Sequence, residues 1–273
     1  MFDNFIIDNK LKNYKVIVTE ERYWDLYRAF IPERSLARLD LSQHEIDESF
    51  KSSITLFKGK RIIVPIVDRF ERFRDQISLG LGGHFSNYIQ KSLHTELPNK
   101  FCDPNFDREI IKSAEDKASK INLNLNNFIF LFPEAVTASS LRTSLWQEIG
   151  LHYKNKGYDV LINLTKPNHN FDLFKSTNLT IPEALYLASK SKLCISLVSG
   201  LTVCLCSNDN LKIYLYTQQT PTIGYRMSAK EMLESYSLKD FPYKGKLFEI
   251  NADNLLENEI LNEIFNLTEE NFG

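Results

Sequence analysis

The sequence predicts an α/β protein in which parallel strands alternate with flanking helices. Short, continuous apolar runs have the length and composition of strands that are buried on both faces: FIFLF (128–132), YDVLINL (158–164), LCISLV (193–198) and LKIYLY (211–216). Segments with helix-capping residues separate these runs. The connections are short, which favours right-handed parallel crossovers and a doubly wound sheet.

The helical segments carry start and stop signals. In SLWQEIGLHYKNKG, Ser144 and Gln147 match a capping box, and Gly157 stands where a C-terminal cap belongs. In TIPEALYLASKSK, Thr180 and Glu183 repeat the capping-box spacing. These signals predict one helix after the first strong strand and another before the third.

The first hundred residues show a weaker version of the same pattern. Strands are predicted at 14–19 and 60–67, and helices at 20–30 and 84–97. The polar stretch 99–126, with a helix near 107–120, is the best candidate for a connection between two α/β halves. We therefore expect an N-terminal α/β domain at 1–105, a C-terminal domain at 106–251, and a helical tail at 252–273 that packs back on the body.

Composition narrows the class of function. The formal net charge of -2 over 273 residues gives no electrostatic case for a nucleic-acid partner. No apolar run approaches the roughly 18 residues of a membrane span, and the first residues lack the apolar core of a signal peptide, so a cytoplasmic location is expected. Cys204 and Cys206 have no zinc-like partner spacing, which favours buried thiols over a metal site.

A Ser-Gly junction follows the third strong strand. Ser199-Gly200 separates that strand from LTVCLCS, which is compatible with a helix. Gly200 has no Cβ, and the first N–H groups of a helix suit a phosphate group. The junction is therefore either a tight turn or a place where an anion approaches the backbone.

Two long stretches resemble a known family. LFPEAVTASSLRTSLWQEIGLHYKNKGYDVLINL is similar to the segment of bacterial surface-polysaccharide glycosyltransferases in which a strand, a Pro-Glu-Ala or Pro-Gly-Ala turn and a Trp-containing helix follow one another. TIPEALYLASKSKLCISLVSGLTVCLCSNDNLKIYLYT is similar to their later helix, strand and Ser-Gly turn. These are heptosyltransferase-like enzymes with two Rossmann-like domains, the arrangement called GT-B. The resemblance covers residues 128–217, whereas 14–100 match only in pattern.

The resemblance implies a nucleotide-sugar donor held by the C-terminal half and an acceptor held by the N-terminal half. It implies neither a cofactor nor a metal, and the chain lacks an Asp-x-Asp motif. The candidate donor-binding residues follow the predicted strands, where open parallel sheets bind ligands. They are Glu134, Ser139, Ser140, Arg142, Asn163, Thr165, Ser199, Gly200, Leu201 and Thr202.

These residues have candidate roles. Glu134 can accept hydrogen bonds from a ribose or base, and Arg142 with nearby hydroxyl groups can bind phosphate. Asn163 and Thr165 can line a base pocket. The alternatives are a helix-entry carboxylate, a solvated arginine and simple turn residues.

Two residues are candidate bases. His84 follows the glycine-rich LGLGG, and its ordinary pKa near neutrality suits general-base work. Asp68 ends the apolar run IIVPIVD. The alternatives are an exposed helix-capping histidine and a turn aspartate.

The chain departs from the family pattern at two places. Relatives often have a Gly-Asp turn that supplies the base, and no Gly-Asp pair occurs in the first hundred residues. Relatives also often carry Arg-Ser-Gly at the later turn, whereas this chain has Val198-Ser199-Gly200. Three explanations stay open: a truncated reading frame, a divergent enzyme with another base, or a degenerate relative without catalysis.

The leading hypothesis is sugar transfer from a nucleotide-activated donor to a lipopolysaccharide or capsule acceptor. It places the protein on the cytoplasmic side of the inner membrane, with peripheral contact at most. The alternative is a non-catalytic GT-B-like binding or scaffold protein. An epimerase is disfavoured, because neither a G-x-G-x-x-G fingerprint nor a Tyr-x-x-x-Lys pair occurs in a suitable context.

Overall fold

The computed structural model describes residues 103–165, 168–219, 226–241 and 243–272, and five short segments of the first hundred residues: 16–18, 24–30, 35–38, 54–57 and 60–63. The predicted helix at 84–97 lies outside the described residues. The proposed domain boundaries stay predictions.

The ten strands, in chain order, are β1 (Val16–Val18), β2 (Leu36–Arg38), β3 (Ile54–Phe57), β4 (Lys60–Ile63), β5 (Phe128–Phe132), β6 (Asp159–Asn163), β7 (Lys175–Thr177), β8 (Leu193–Leu197), β9 (Leu211–Tyr216) and β10 (Lys246–Asn251) in the part of the chain that is described. The α-helices there are α1 (Trp24–Phe30), α2 (Arg108–Lys120), α3 (Thr143–Asn155), α4 (Ile181–Lys190), α5 (Gly200–Leu205), α6 (Ala229–Tyr236) and α7 (Glu257–Glu269).

Six of the strands form one parallel sheet in the order β10-β9-β8-β5-β6-β7. The chain starts in the middle at β5, adds β6 and β7 on one side, then returns to add β8, β9 and β10 on the other. This is the doubly wound strand order, and its direction of winding switches between β5 and β8. The predicted α/β class with a parallel sheet and flanking helices is confirmed.

Helices cover both faces of this sheet. Helices α2, α4, α5 and α6 pack on one face, and α3 and α7 pack on the other. The central strand β5 contributes side chains to the hydrophobic core on each face. Phe128, Phe130 and Phe132 pack on the face covered by α2, α4, α5 and α6, whereas Ile129 and Leu131 pack on the face covered by α3 and α7. All five are almost fully buried, as expected for a strand with a continuous apolar run.

The first hundred residues contribute smaller pieces. Strands β1 and β2 pair in parallel, whereas β3 and β4 form an antiparallel pair. Only two residues separate β3 from β4, which is too short for a parallel crossover. Helix α1 lies against α4, and the Asn105 N–H donates to the Ala29 carbonyl at 2.6 Å. This helix therefore packs directly on the six-stranded body.

The cap predictions have mixed outcomes. Gly157 has a positive φ of 86° after α3, and the Thr180 N–H donates to the Glu183 carboxylate at 2.6 Å, so both signals are confirmed. The capping box at Ser144 is wrong. Helix α3 begins one residue earlier with Arg142 as its N-cap, so the Ser144 hydroxyl lies inside the first turn and donates to Glu257 at 3.3 Å.

The predicted helix at 107–120 is α2, which Asp107 caps by accepting from the Ile110 N–H at 2.8 Å. The predicted tail helix is α7, which packs on α3. Five of these strands and helices were not predicted from the sequence: strands β2 and β3, the edge strands β7 and β10, and helix α6. No helix in the described part of the chain is long and apolar enough to cross a membrane.

Candidate functional site

The candidate site lies where the sheet changes its direction of winding. Strands β5 and β8 are neighbours, and the chain leaves their carboxyl ends toward opposite faces of the sheet. A crevice forms at such a switch point, and ligands of open α/β sheets bind there. Two of the turns singled out in the sequence, Pro133–Ala135 and Val198–Gly200, both leave this point.

The turn after β8 is open at Gly200. This residue is exposed, and a Cβ added to it would meet no atom within 4 Å. The Ser199 N–H is already used, since the Thr202 hydroxyl accepts it at 3.0 Å. The N–H groups of Gly200 and Leu201 have no acceptor among the described residues. They are therefore available to an anion.

Helix α5 itself adds little electrostatic help. It has only six residues, so its dipole is weaker than that of a long helix. Its interior side is closed: Thr202 is fully buried, and Leu201 packs against the core. Of the candidates Leu201 and Thr202, neither side chain points into open space. What this turn offers is the free backbone at Gly200 and Leu201.

The loop after β5 presents an anchored carboxylate. Glu134 is exposed, and its Oε2 accepts from the Thr165 N–H at 2.7 Å. This contact joins the carboxyl ends of β5 and β6, which are neighbouring strands. One carboxylate oxygen is thereby fixed in place, while Oε1 has no donor among the described residues. Asn163, the last residue of β6, is half-buried and pairs with Thr177 of β7.

The loop after β5 also pairs with the segment after β9. The Ser139 N–H donates to the Gln218 carbonyl at 2.7 Å, and the Thr217 hydroxyl donates to the Ser139 carbonyl at 2.8 Å. We call residues 137–139 and 217–219 together the loop bridge. Because β8 lies between β5 and β9, the loop bridge spans the carboxyl end of β8.

Gln219 is the residue of the loop bridge that contacts the turn after β8. Its backbone pairs with Met227, with both N–H to carbonyl distances at 2.8 Å, and it forms a β-bridge with Ala138. Its side-chain amide donates to the Val198 carbonyl at 3.2 Å. Gln219 is 7% exposed. It therefore connects the loop after β5 with the turn after β8.

Arg142 and the serine candidates lie on the outer side. The Arg142 side chain is 83% exposed, and its Nε lies 3.3 Å from Glu257 Oε1 at the start of α7. Ser139 and Ser140 are exposed, and the backbone of Ser139 belongs to the loop bridge. The structure thus brings the serines and Gly200 to one edge of the sheet, while Arg142 is engaged with a carboxylate.

Three described carboxylates at this edge have structural partners. Glu134 accepts from Thr165, and Glu257 faces Arg142 and Ser144. Asp253 accepts from the N–H groups of Gln218 and Ala229, each at 2.8 Å. The two base candidates, His84 and Asp68, lie outside the described residues.

The described cysteines are all free thiols. Cys194 and Cys206 are fully buried, and Cys204 is half-buried. The Cys206 thiol donates to the Thr202 carbonyl one helical turn earlier, at 3.5 Å. Within the described ranges, no three His, Cys, Asp or Glu side chains are grouped as a metal site.

Sequence reasoning missed Gln219, Thr217 and Asp253. The only signal for the first two was their place directly after the strand LKIYLY, where the edge of a parallel sheet binds ligands. Their partners, Val198 and Ser139, are far away in sequence, so no local pattern identified them.

No protein-family model matches the sequence, and no curated protein matches it. Some solved structures are similar to it. The E. coli ADP-heptose LPS heptosyltransferase II is 13% identical, with a TM-score of 0.47 over 70% of this chain and 63% of that chain. A glycosyl transferase of family 9 from Veillonella parvula is 12% identical, with a TM-score of 0.47 over 67% of this chain and 58% of that one.

A second E. coli heptosyltransferase, in a structure with ADP-2-deoxy-2-fluoro heptose, is 13% identical, with a TM-score of 0.39 over 65% of this chain and 53% of that one. This chain therefore spans less than two thirds of the length of each of these three proteins. With identities and TM-scores this low, the likeness transfers no activity to this chain.

Proposed function

We propose that this protein is a glycosyltransferase that binds a nucleotide-activated sugar at the switch point between β5 and β8. The sugar would pass to a bacterial surface glycan, such as lipopolysaccharide or capsule, on the cytoplasmic side of the inner membrane. The observation that carries the proposal is the open backbone at Gly200. This residue follows the carboxyl end of β8 at the switch point of a doubly wound sheet, which is where such sheets bind ligands.

The diphosphate would lie against the free N–H groups of Gly200 and Leu201. Backbone N–H groups are good donors to phosphate oxygens, and the missing Cβ lets those oxygens come close. Glu134 would accept from a ribose hydroxyl with its free Oε1, because Oε2 is already held by Thr165. Ser139 and Ser140 supply further hydroxyl groups at the same edge.

The reaction would be a displacement at the anomeric carbon. The acceptor hydroxyl gives its proton to a base, its oxygen forms the new bond to carbon, and the nucleoside diphosphate leaves with the electron pair of the broken bond. His84 and Asp68 stay the candidates for the base. The N–H groups at Gly200 would stabilise the leaving diphosphate, and Arg142, whose Nε lies beside Glu257, stays a candidate for the same role.

A thermal-shift panel with ADP, GDP, UDP and CDP tests nucleotide binding. We expect one nucleoside series to raise the melting temperature, because a ligand at 100 times its Kd stabilises the folded state by about 2.7 kcal/mol. A panel without any shift would contradict the proposal.

Substitutions at Gly200 locate the site. Gly200→Asp places a negative charge where the diphosphate would bind, and we expect it to weaken nucleotide binding at least tenfold, about 1.4 kcal/mol. An acidic residue is favourable in the first turn of a helix and the Cβ has free space, so the variant should fold as well as the wild type. Gly200→Asn is the matched neutral control and should bind within about threefold of the wild type.

A nucleotide-binding protein without catalysis is the second candidate. It is favoured by the three carboxylates Glu134, Asp253 and Glu257, each of which already has a structural partner at this edge. Turnover with a matched acceptor separates the two functions. For the enzyme, His84→Ala or Asp68→Asn should lower kcat without changing nucleotide affinity. For the binding protein, nucleotide would bind and no acceptor would be glycosylated.

A further inference from the structure

We propose that Gln219 is a positioning residue of the candidate site, which fixes the loop after β5 relative to the turn after β8. The inference rests on the proposed nucleotide binding and concerns the same site. It assigns a role to a residue that touches neither the diphosphate nor the sugar, and that acts through the two segments that do.

The side chain of Gln219 contacts both segments. Its Nε2 donates to the Val198 carbonyl at 3.2 Å, directly before Ser199-Gly200. Its Oε1 lies 3.5 Å from the Thr137 hydroxyl, three residues after Glu134. One amide group therefore spans the end of β8 and connects the segment with the free N–H groups to the segment with the free carboxylate oxygen.

Gln219 is itself held firmly. Two backbone hydrogen bonds to Met227, both at 2.8 Å, fix its Cα, and Met227 is 2% exposed within the core. Gln219 is 7% exposed, so water competes poorly for its amide. A buried amide on a fixed backbone is suited to holding two loops at a constant separation, which is the requirement for a preorganised site.

The separation of the two segments should affect the affinity for a nucleoside diphosphate and the affinity for pyrophosphate to different extents. A nucleoside diphosphate would contact the Gly200 turn with its phosphates and Glu134 with its ribose. Inorganic pyrophosphate would contact the Gly200 turn alone. A residue that sets the separation should therefore affect the affinity for the nucleoside diphosphate more than the affinity for pyrophosphate.

The test compares Gln219→Met with Gln218→Met. Methionine keeps the length of glutamine and removes both amide hydrogen bonds. Gln218 is the half-buried neighbour, and its side chain makes no hydrogen bond among the described residues, so it is a matched control. The probes are inorganic pyrophosphate and the nucleoside diphosphate that gives the wild type its largest thermal shift.

In Gln219→Met, we expect the Kd of that nucleoside diphosphate to rise about tenfold, and the Kd of pyrophosphate to change less than about twofold. Gln218→Met should leave both unchanged. If Gln219→Met raised the two Kd values by the same factor, the substitution would have loosened the site as a whole, and the inference would be overturned. Unchanged Kd values for both probes would overturn it as well.

Amide hydrogen exchange provides a readout that needs no ligand. Exchange at Ser139 and Thr202 should become faster in Gln219→Met and stay at the wild-type rate in Gln218→Met, because only the first variant disconnects the two segments. Unchanged exchange overturns the positioning role. If the wild type binds none of the nucleotides, the proposed function fails, and the exchange result still decides whether Gln219 couples the segments.

Discussion

Lys212 is fully buried at the start of β9, yet its ammonium group has acceptors. Its Nζ donates to the backbone carbonyls of Asn208, Asn210 and Lys244, at 2.6 to 2.8 Å. Lys212→Met would leave these three carbonyls without the ammonium donor, and we expect a loss of about 3 kcal/mol in the free energy of unfolding. Urea denaturation at pH 7.5 measures it.

The matched control for Lys212 is Lys192, an exposed lysine directly before β8. Lys192→Met should change the free energy of unfolding by less than about 0.5 kcal/mol. Equal effects of the two substitutions would show that the carbonyls around Lys212 find other donors, so that the buried ammonium does not hold the segments before β9 and β10 together.

Helices α2 and α4 are joined by one carboxylate. Glu183 in α4 accepts from the Ser113 hydroxyl and the Lys117 ammonium of α2, each at 2.6 Å, and it also caps its own helix at Thr180. Glu183→Gln removes the charge and should cost about 2 kcal/mol at pH 7. Glu148→Gln, at an exposed position of α3, is the control and should cost less than about 0.5 kcal/mol.

The contact between these helices should depend on pH. Burial raises the pKa of Glu183, but hydrogen bonds from Lys117, Ser113 and Thr180 outweigh this effect, and the pKa is lowered. A carboxyl group whose pKa is lower in the folded state contributes stability above its ordinary pKa of 4.5, and this is lost as the pH falls. The difference in stability between wild type and Glu183→Gln should therefore shrink from pH 6 to pH 3.5; a constant difference would contradict it.

Buried thiols and phenols lie on both faces of the sheet. Burial raises the pKa of Cys206 to about 11, and raises the pKa values of Cys194, Tyr153 and Tyr214 above their ordinary values. The unfolded chain releases these protons at lower pH than the folded protein does, so stability should be complete below pH 9 and lost above it. Burial lowers the pKa of Lys212, which opposes this trend, but Lys212 is one group against the seven described thiols and phenols whose pKa values are raised.

This predicts alkaline unfolding of the whole molecule. Between pH 8.5 and 10.5, the free energy of unfolding should fall by about 2 kcal/mol or more. Urea denaturation across this range measures it, and tyrosine absorbance at 295 nm should show that the buried phenols ionise only as the protein unfolds. Constant stability up to pH 10.5 would contradict the prediction.

The sequence by itself determined the fold class and the strong elements. FIFLF, LCISLV and LKIYLY form β5, β8 and β9. Short, continuous apolar runs of this kind are typical of strands that helices cover on both faces of a parallel sheet. The caps at Gly157 and Thr180 are local chemistry and were predicted. The same reasoning missed the edge strands β7 and β10, since their residues are polar or mixed and their pairing depends on neighbours that are already in place.

The candidate site was predictable only in part. The Ser199-Gly200 turn and Glu134 are visible in the sequence as polar or small residues after strands. The strand order, which makes β5 and β8 neighbours, decided that both follow the carboxyl ends of adjacent strands. The tertiary structure alone decided that Arg142 pairs with Glu257 and that Gln219 lies between Val198 and Thr137. The physical reason is that hydrophobic periodicity and capping act over a few residues, whereas these polar contacts join segments that only the folded sheet brings together.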